Sequence, residues 1–293
     1  MAAIHFPGVT ETASAVTNAS EDSGAAALIL GKRVGRLSDN YERKRAQQFR
    51  LGPPPALTSA EYTTVFDEVK SLGIANSTAA TADQALIGRF WNGAIQNYWN
   101  EVTQTAVQAH HLTTAQSARA FALLNLILAD EVIVFYDTKY TYNLWRPVTA
   151  IRAAATDGNP DTAADPTWLP KAGKTAADPS YPGAHATISA GAAFVLRSLF
   201  GTKRFHLSVT SEVLPGVVRS FDSFADVEQG ASLSRIYAGQ HFRSDENAGE
   251  RLGRAVADFV VDNFLMRVHR RDGEGTKREA TTDWVRHHHW RED

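Results

Sequence analysis

Residues 113–142, TTAQSARAFALLNLILADEVIVFYDTKYTY, carry the longest helical pattern in the chain and decide its fold class. Thr113 followed three residues later by Gln116 is a capping box, in which each side chain satisfies a backbone N–H at the start of a helix. The most apolar part, residues 121–136, is interrupted by Asn125 and two acidic residues. It therefore falls short of the roughly 20 apolar residues that a membrane-spanning helix needs. The stretch predicts a long helix of a globular bundle and argues against a membrane-spanning protein.

Similar signals predict helices along the rest of the chain. Thr81 and Gln84 form a second capping box, and the aromatic residues after it are expected to build the core rather than to bind a cofactor. The predicted helices cover residues 25–37, 38–51, 58–73, 81–99, 113–142, a stretch from Pro147, 185–201, most of 215–239, and 244–268. Residues 157–180 predict a long loop at the mouth of a pocket. Because no stretch shows the alternation of a strand, the sequence predicts an all-α helical bundle.

Length, charge and composition set wider bounds. The 293 residues, 43% of them hydrophobic, predict one all-α catalytic domain over 1–270, irregular in its first 20 or so residues, and a polar tail over 271–293. A net charge of -2 with dispersed basic residues argues against nucleic acid as a partner. The absence of cysteine excludes disulfides and thiolate metal sites. His287 to His289 in the tail are interpreted as a solvated segment rather than a metal site.

The first residues lack the basic start and apolar run of a secretory signal. A chain whose signal has been removed would look the same. The compartment therefore stays open between the cytoplasm and a secreted or periplasmic location.

Three short blocks hold the residues with the strongest chemical signal. They are KYTYNLWRP at 139–147, PGAH at 182–185 and SRIYAGQHFRSD at 234–245. Together they supply three cations, two imidazoles and a carboxylate: Lys139, Arg146, Arg235, His185, His241 and Asp245. Each residue taken alone is more often a surface or structural residue, but three cations and two imidazoles in one site suit a tetrahedral oxyanion. The second block precedes a helix, so Gly183 and Ala184 are expected to offer backbone N–H groups to that anion.

The ordered blocks resemble the signature of the superfamily that unites vanadium-dependent haloperoxidases with the phosphatidic-acid phosphatases of type 2 and the histidine acid phosphatases. Lys139-x6-Arg146-Pro147 and Ser234-Arg235-x5-His241-x3-Asp245 match its first and third elements fully. The resemblance covers roughly residues 130–253, and the wording around the first and third blocks is most like soluble bacterial haloperoxidases. It implies a helical bundle, and it implies a homodimer because members often pair.

The resemblance also implies a role for each matching residue. Lys139, Arg146 and Arg235 would hold the oxyanion, and His241 would bind vanadium or attack phosphorus. His185 would act as general acid and base. Asp245 would orient the ring of His241, with helix capping as its alternative role.

The middle element departs from the family, which usually has serine and glycine where this chain has Gly183 and Ala184. Loss of one hydroxyl donor to a charged group would lower anion affinity about ten- to a hundredfold. The sequence therefore predicts weaker retention of vanadate than in members with the serine.

Vanadate is an analogue of phosphate, so the ligand residues leave the chemistry open. The resemblance favours a haloperoxidase that uses vanadate, hydrogen peroxide and a halide to make a hypohalous species. A phosphatase that hydrolyses phosphate esters through a phosphohistidine is the alternative, and it needs no vanadate. A protein that only binds oxyanions ranks third.

Overall fold

The computed structural model describes residues 46–201 and 206–265, and it is mostly helical. The helices are α1 (Ala60–Leu72), α2 (Ala82–Phe90), α3 (Ile95–Ala109), α4 (Thr114–Tyr142), α5 (Pro147–Arg152), α6 (Ala184–Phe200), α7 (Phe224–Tyr237) and α8 (Arg243–Asn263). Short 3-10 turns cover Gln47–Phe49 and Ala154–Thr156. One antiparallel hairpin pairs β1 (Leu207–Thr210) with β2 (Val218–Phe221). The predicted helical fold class is confirmed.

The long helix α4 begins and ends where the sequence predicts. Gln116 donates its backbone N–H to Thr113 Oγ1 at 3.4 Å, and Thr113 donates its own to Gln116 Oε1 at 2.9 Å. The helix ends at Asn143, which adopts the left-handed conformation at φ 48° and donates its N–H to the carbonyl of Lys139. Both ends are fixed by nearby side chains and turns, so the local sequence is sufficient to place them.

The region after Thr81 differs from its prediction. The capping box with Gln84 is present, but the expected single helix is two, α2 and α3, separated by residues 91–94. Glu212, beside the hairpin, accepts hydrogen bonds from Ala94 N at 2.8 Å and from Asn97 Nδ2 at 2.5 Å. The start of α3 is thus held by a residue more than a hundred positions away, which a local pattern cannot reveal.

The expectation of a chain without strands is wrong at the β1–β2 hairpin. Leu207 and Val209 are buried while Ser208 and Thr210 are exposed, so β1 does alternate, but over only four residues. The helix expected from Pro215 begins instead at Phe224, where Ser223 Oγ accepts from the N–H of Asp226. A four-residue alternation is too short to separate from chance in a sequence.

Smaller differences concern helix ends. Ser59, rather than Thr58, caps α1 by accepting from Tyr62 N at 3.1 Å. Residues 47–51 form a 3-10 turn and then extend at Arg50, so the helix predicted over 38–51 does not include its last residues. The predicted helix over 25–37, the end of the last helix near 268 and the tail over 271–293 lie outside the described residues. The boundaries of a single domain over 1–270 stay a prediction.

Helix α6 lies at the centre of the bundle, against α4, α7 and α8. The contact with α8 is close because α8 presents Gly249 and Gly253. A Cβ at Gly249 would overlap the carbonyl oxygen of Gly183, and one at Gly253 would overlap the carbonyl oxygen of Thr187 in α6. The aromatic residues after Thr81 are buried, as predicted: Phe90, Trp91, Tyr98 and Trp99. This packing places the first residues of α6 beside the first residues of α8.

The middle of α4 buries a carboxyl group without a partner. Glu131 is fully buried, and neither of its carboxyl oxygens has a hydrogen-bond partner among the described residues. It faces α6 at Gly191, where a Cβ would overlap Glu131 Oε1. Burial raises the pKa of Glu131 well above its usual range, and the nearby Asp130 adds to the shift.

Among the helices of residues 46–201 and 206–265, none has the length and apolar character that a membrane span requires.

Glu131→Gln is expected to remove a pH dependence of stability. The folded chain keeps the Glu131 proton at pH values where the unfolded chain has lost it, so the free energy of unfolding falls as the pH rises above about 4.5. The slope is up to about 1.4 kcal/mol per pH unit until the folded carboxyl ionises. Urea unfolding at pH 5 and pH 7 should therefore favour the glutamine variant only at the higher pH. Asp67→Asn, on the exposed side of α1, is the control; equal slopes for wild type and Glu131→Gln would contradict the account.

Candidate active site

Lys139 and Arg146 come from the junction between α4 and α5. Lys139 lies in the last turn of α4 and is fully buried. The left-handed residue Asn143 turns the chain, and Arg146 is the N-cap of α5, with Pro147 as its first helical residue. A proline is favoured at that position because an N–H there would have no partner within the helix, so its absence costs nothing. The turn brings the two cations to the same end of the bundle.

Asp178, from the long loop, joins these two cations. Its Oδ2 lies 3.0 Å from Lys139 Nζ and 3.0 Å from Arg146 Nη2. Its backbone carbonyl accepts from Arg146 Nε at 2.8 Å. Burial alone would raise the pKa of Asp178, but Lys139 and Arg146 hold it below its usual range. The predicted position of residues 157–180 at the pocket is consistent with this contact, and Asp178 stays ionised there.

Arg235 and His241 lie on either side of a tight turn after α7. Gly239 has a φ of +74°, and a Cβ on it would lie 2.8 Å from Trp168 Cη2. Only glycine combines this backbone conformation with so little space. Gln240 donates its N–H to the carbonyl of Arg235 at 2.9 Å, which closes the turn. The turn holds His241 beside Arg146.

The contact between Arg146 and His241 fixes the tautomer of the histidine. Arg146 Nη1 lies 2.7 Å from His241 Nε2 and also donates to the carbonyl of Gln240 at 3.1 Å. A guanidinium can only donate, so Nε2 accepts and holds a lone pair. Burial lowers the pKa of His241 well below its usual range, and Arg146 and Lys139 lower it further. His241 is therefore neutral, with the lone pair of Nε2 facing Arg146.

Asp245 has both of the roles that the sequence left as alternatives. Its Oδ2 lies 3.4 Å from His241 Nδ1, which carries the proton in this tautomer. The same oxygen accepts from Phe242 N at 3.0 Å, which caps α8, and from Ser180 Oγ at 2.6 Å. Burial raises the pKa of Asp245 to about 6, against the opposing effect of the Ser180 hydrogen bond. The side chain caps the helix and orients the imidazole together.

His185 lies in the first turn of α6 and bonds to the break between α2 and α3. Its Nε2 is 3.0 Å from the carbonyl of Trp91. A carbonyl only accepts, so Nε2 carries the proton and Nδ1 holds the lone pair. Burial lowers the pKa of His185 well below its usual range, and Arg235 contributes to the shift. The second imidazole is thus also neutral and lies within the field of the same cations.

Arg235 is a buried cation with an unused hydrogen-bond donor. Its Nη1 donates to Asn92 Oδ1 at 3.3 Å, but its Nε has no partner among the described residues. Burial lowers the pKa of Arg235 to about 10, with Glu246 opposing the shift and Arg146 adding to it. A buried guanidinium with an unused donor indicates that the site is built for an anion that completes its hydrogen bonds.

The start of α6 provides less to an anion than the sequence indicated. The N–H of Gly183 donates to the carbonyl of Asp245 at 2.8 Å, so it is already used within the protein. The N–H of Ala184 has no hydrogen bond to another described residue. Of the pair Gly183 and Ala184, the structure therefore leaves Ala184 as the backbone donor, together with the positive end of the α6 dipole.

The residues present fit a tetrahedral oxyanion such as vanadate or phosphate. Three buried cations and two neutral imidazoles converge, and the unpartnered Arg235 Nε is one donor that an anion oxygen would satisfy. A lone pair on His241 Nε2 suits a metal bond. In the described part of the chain, no group of three or more His, Cys, Asp and Glu side chains is arranged to hold a metal cation. The residues His287 to His289 lie outside the described part.

Three polar residues of the site were not singled out from the sequence as site residues. Asn92 contacts Arg235, Asp178 joins Lys139 to Arg146, and Glu246 lies beside His241 with its Oε1 at 3.7 Å from Nδ1. Glu246 directly follows the matching Asp245, which was its only local signal. Asn92 and Asp178 reach the site from a helix break and a loop, and a pattern along one segment does not reveal them.

Comparisons with known proteins identify the family of the chain. The family model described as the VCPO second helical-bundle domain matches residues 119–270, more than half of the 293-residue chain. Vanadium chloroperoxidase of Curvularia inaequalis is 24% identical over 301 residues, covering 79% of this chain and 47% of that protein. A crystal structure described as the first bacterial vanadium-dependent iodoperoxidase is 29% identical with a TM-score of 0.65, covering 75% of this chain and 54% of that one.

A holo-type bacterial vanadium-dependent chloroperoxidase shares the fold, with a TM-score of 0.56, at 15% identity over 73% of this chain and 50% of that one. The chain spans about half the length of the relatives that it matches. The match of the family model contains both ends of the site, from Lys139 to Asp245. The chain therefore belongs to the vanadium haloperoxidase family, whose second helical-bundle domain residues 119–270 match.

Proposed function

We propose that the chain is a vanadate-dependent haloperoxidase that oxidises a halide with hydrogen peroxide to a hypohalous species. The observation that carries the proposal is the 2.7 Å contact between Arg146 Nη1 and His241 Nε2. His241 is a neutral imidazole whose lone pair faces Arg146, and Lys139 and Arg235 add positive charge nearby. Together they form the donor set that a vanadate ligand needs. Membership of the family supports the proposal, since its matched relatives are described as vanadium chloroperoxidases and an iodoperoxidase.

Each site residue has a part in this proposal. Lys139, Arg146 and Arg235 would hold the oxygens of vanadate, and His241 would bind vanadium through Nε2. When bound, vanadate supplies a Lewis acid that activates peroxide without changing its own oxidation state. Asp245 keeps the proton of His241 on Nδ1, so the lone pair stays on Nε2, where vanadium would replace Arg146 Nη1 as its partner.

In this proposal His185 would move protons during peroxide binding. Its Nε2 is held by the Trp91 carbonyl, so the exchange would take place at Nδ1. Because burial and Arg235 lower its pKa, His185 begins the cycle neutral and accepts a proton first. The Lys139 ammonium already bonds to the carbonyls of Pro179 and Ser180 and to Asp178. Its part would be to neutralise negative charge on the oxyanion.

Hydrolysis of phosphate esters is the second candidate, and the contact between His241 Nδ1 and Asp245 Oδ2 at 3.4 Å favours it. Asp178 lies 3.0 Å from both Lys139 Nζ and Arg146 Nη2. Its carboxylate would repel a halide and a phosphate ester alike. In this reading His241 is the nucleophile at phosphorus and Asp245 orients it, as in other nucleophile and orienter pairs.

Two assays separate the candidates. The protein is incubated with and without vanadate and tested for bromide and iodide oxidation with peroxide, and separately for hydrolysis of an aryl phosphate. Halide oxidation that depends on vanadate supports the proposal. Phosphate release that vanadate inhibits supports the phosphatase and contradicts the peroxidase. Oxyanion binding without either activity supports the third candidate, a protein that only binds oxyanions.

Oxyanion affinity is expected to fall as the pH rises above about 8. Burial lowers the pKa of Lys139 to about 8, with Arg146 adding to the shift and Asp178 opposing it. Only the charged ammonium favours the anion, so affinity is full below this pKa and falls up to about tenfold per pH unit above it. Phosphate dissociation constants between pH 7.5 and 9.5 measure the effect. Lys139→Arg should flatten the decline, and a wild-type constant that does not change over this range would contradict the role of Lys139.

A further inference from the structure

Glu246 and Gly183 face each other where α8 packs on α6. A Cβ added to Gly183 would overlap Glu246 Oε1 and would lie 2.7 Å from its Cδ. The carboxyl group therefore fills the space that any side chain at residue 183 would enter. Glycine at residue 183 leaves this space to Glu246.

The carboxyl group of Glu246 lies 3.7 Å from His241 Nδ1 but makes no hydrogen bond in the described chain. Glu246 is 1% exposed, and neither of its oxygens has a hydrogen bond within the described residues. The charged groups that face it include Arg235, Asp245 and Lys139, and Arg235 has an unused Nε. In the described chain no ion pair joins Arg235 to Glu246. Arg235 and Glu246 thus have opposite charge and no hydrogen bond to each other. This is expected of two side chains that contact a ligand between them.

We propose that Glu246 contacts the bound oxyanion directly, through its carboxyl group, on the side where Gly183 offers no side chain. The inference rests on the proposed function only in requiring that the site binds a tetrahedral oxyanion. It assigns to Glu246 the contact that a side chain at residue 183 would otherwise make. The ligand is a protonatable oxyanion of the phosphate or vanadate class.

The contact needs one shared proton. A carboxyl group and an oxyanion oxygen form a hydrogen bond when either one carries a hydrogen, so hydrogen phosphate or hydrogen vanadate meets the requirement. An amide in the same place satisfies it equally, because it has both a donor and an acceptor. Alanine satisfies it with neither. The three side chains therefore separate a direct contact from a general effect of charge.

Five proteins test the inference: wild type, Glu246→Ala, Glu246→Gln, Gly183→Ser, and the double variant with Gly183→Ser and Glu246→Ala. Calorimetric titration of each with inorganic phosphate and with vanadate gives dissociation constants, and circular dichroism shows that each is folded. Glu246→Ala should weaken phosphate binding about tenfold or more, as loss of a hydrogen bond to a charged group does. Glu246→Gln should stay within about threefold of wild type by the same reasoning.

The serine variants make the test specific to this pair of residues. Gly183→Ser alone should weaken binding, because its Cβ collides with the carboxyl group. The double variant should bind more tightly than either single variant, because the lost carboxyl makes room for a hydroxyl donor. Unchanged or tighter binding by Glu246→Ala would overturn the inference, and so would equal losses in Glu246→Ala and Glu246→Gln or simple additivity in the double variant. If the folded wild type binds neither anion, the proposed function fails first, which is a different outcome.

Discussion

Replacing His241 by alanine is expected to lower vanadate-dependent halide oxidation at least about 100-fold, since loss of even an outer-shell partner of a metal ligand costs about 10- to 100-fold. The reason is that His241 Nε2 carries the lone pair that would bind vanadium, and it faces Arg146 in a site with two further cations. The three cations remain in the variant, so weak vanadate binding should persist while turnover is lost. Steady-state oxidation of iodide at saturating vanadate measures the change.

His206→Ala is the matched control for the His241 variant. His206 is largely exposed, at 68%, and contacts Asp222 rather than a residue of the site. Its removal should leave halide oxidation and stability nearly unchanged. A loss of less than about tenfold in His241→Ala would be smaller than removal of even an outer-shell partner causes. It would show that vanadium is not bound through this ring.

Arg146→Lys is expected to weaken vanadate and phosphate binding about 100-fold, because several charge-assisted hydrogen bonds of about 1.5–3 kcal/mol each are lost. The guanidinium of Arg146 contacts the Asp178 carboxylate, the carbonyls of Asp178 and Gln240, and His241. Lysine keeps the charge but cannot span these groups with one ammonium. The variant should therefore lose the placement of His241 as well as a direct anion contact. Calorimetric titration with phosphate measures the affinity without depending on turnover.

Arg219→Lys serves as the control for this substitution. Arg219 forms a two-pronged pair with the exposed Asp83 at 2.6 and 3.3 Å, and in the described chain neither side chain bonds to a residue of the site. An exposed pair of this kind contributes little, so anion binding should stay at the wild-type value. If Arg146→Lys also kept its affinity for phosphate, the planar fork of Arg146 would not be needed and the account of the site would be wrong.

The helices could be predicted where their ends depend on nearby residues. Thr81 and Thr113 both form the capping boxes expected from their spacing with Gln84 and Gln116. The break between α2 and α3 could not be predicted in this way, because Glu212 supplies the hydrogen bonds at the start of α3. The four residues of β1 were too short a pattern to separate from the helical background.

The residues of the candidate site also differ in whether nearby sequence reveals them. Lys139, Arg146 and His241 were found because they stand at fixed spacings within two blocks, and the fold brings Arg146 within 2.7 Å of His241. Asp178 and Asn92 come from separate segments, so their contacts depend on the tertiary structure. Gly183 illustrates the difference. The sequence indicated a missing hydroxyl there, whereas the structure shows the carboxyl of Glu246 in its place.

The most direct test of the central claim is a crystal structure of the protein soaked with vanadate. We expect vanadium bonded to His241 Nε2, with its oxygens on Lys139, Arg146 and Arg235. The 2.7 Å contact between His241 Nε2 and Arg146 must then give way. Vanadate bound elsewhere, or a site in which His241 Nε2 still contacts Arg146 at saturating vanadate, would contradict it.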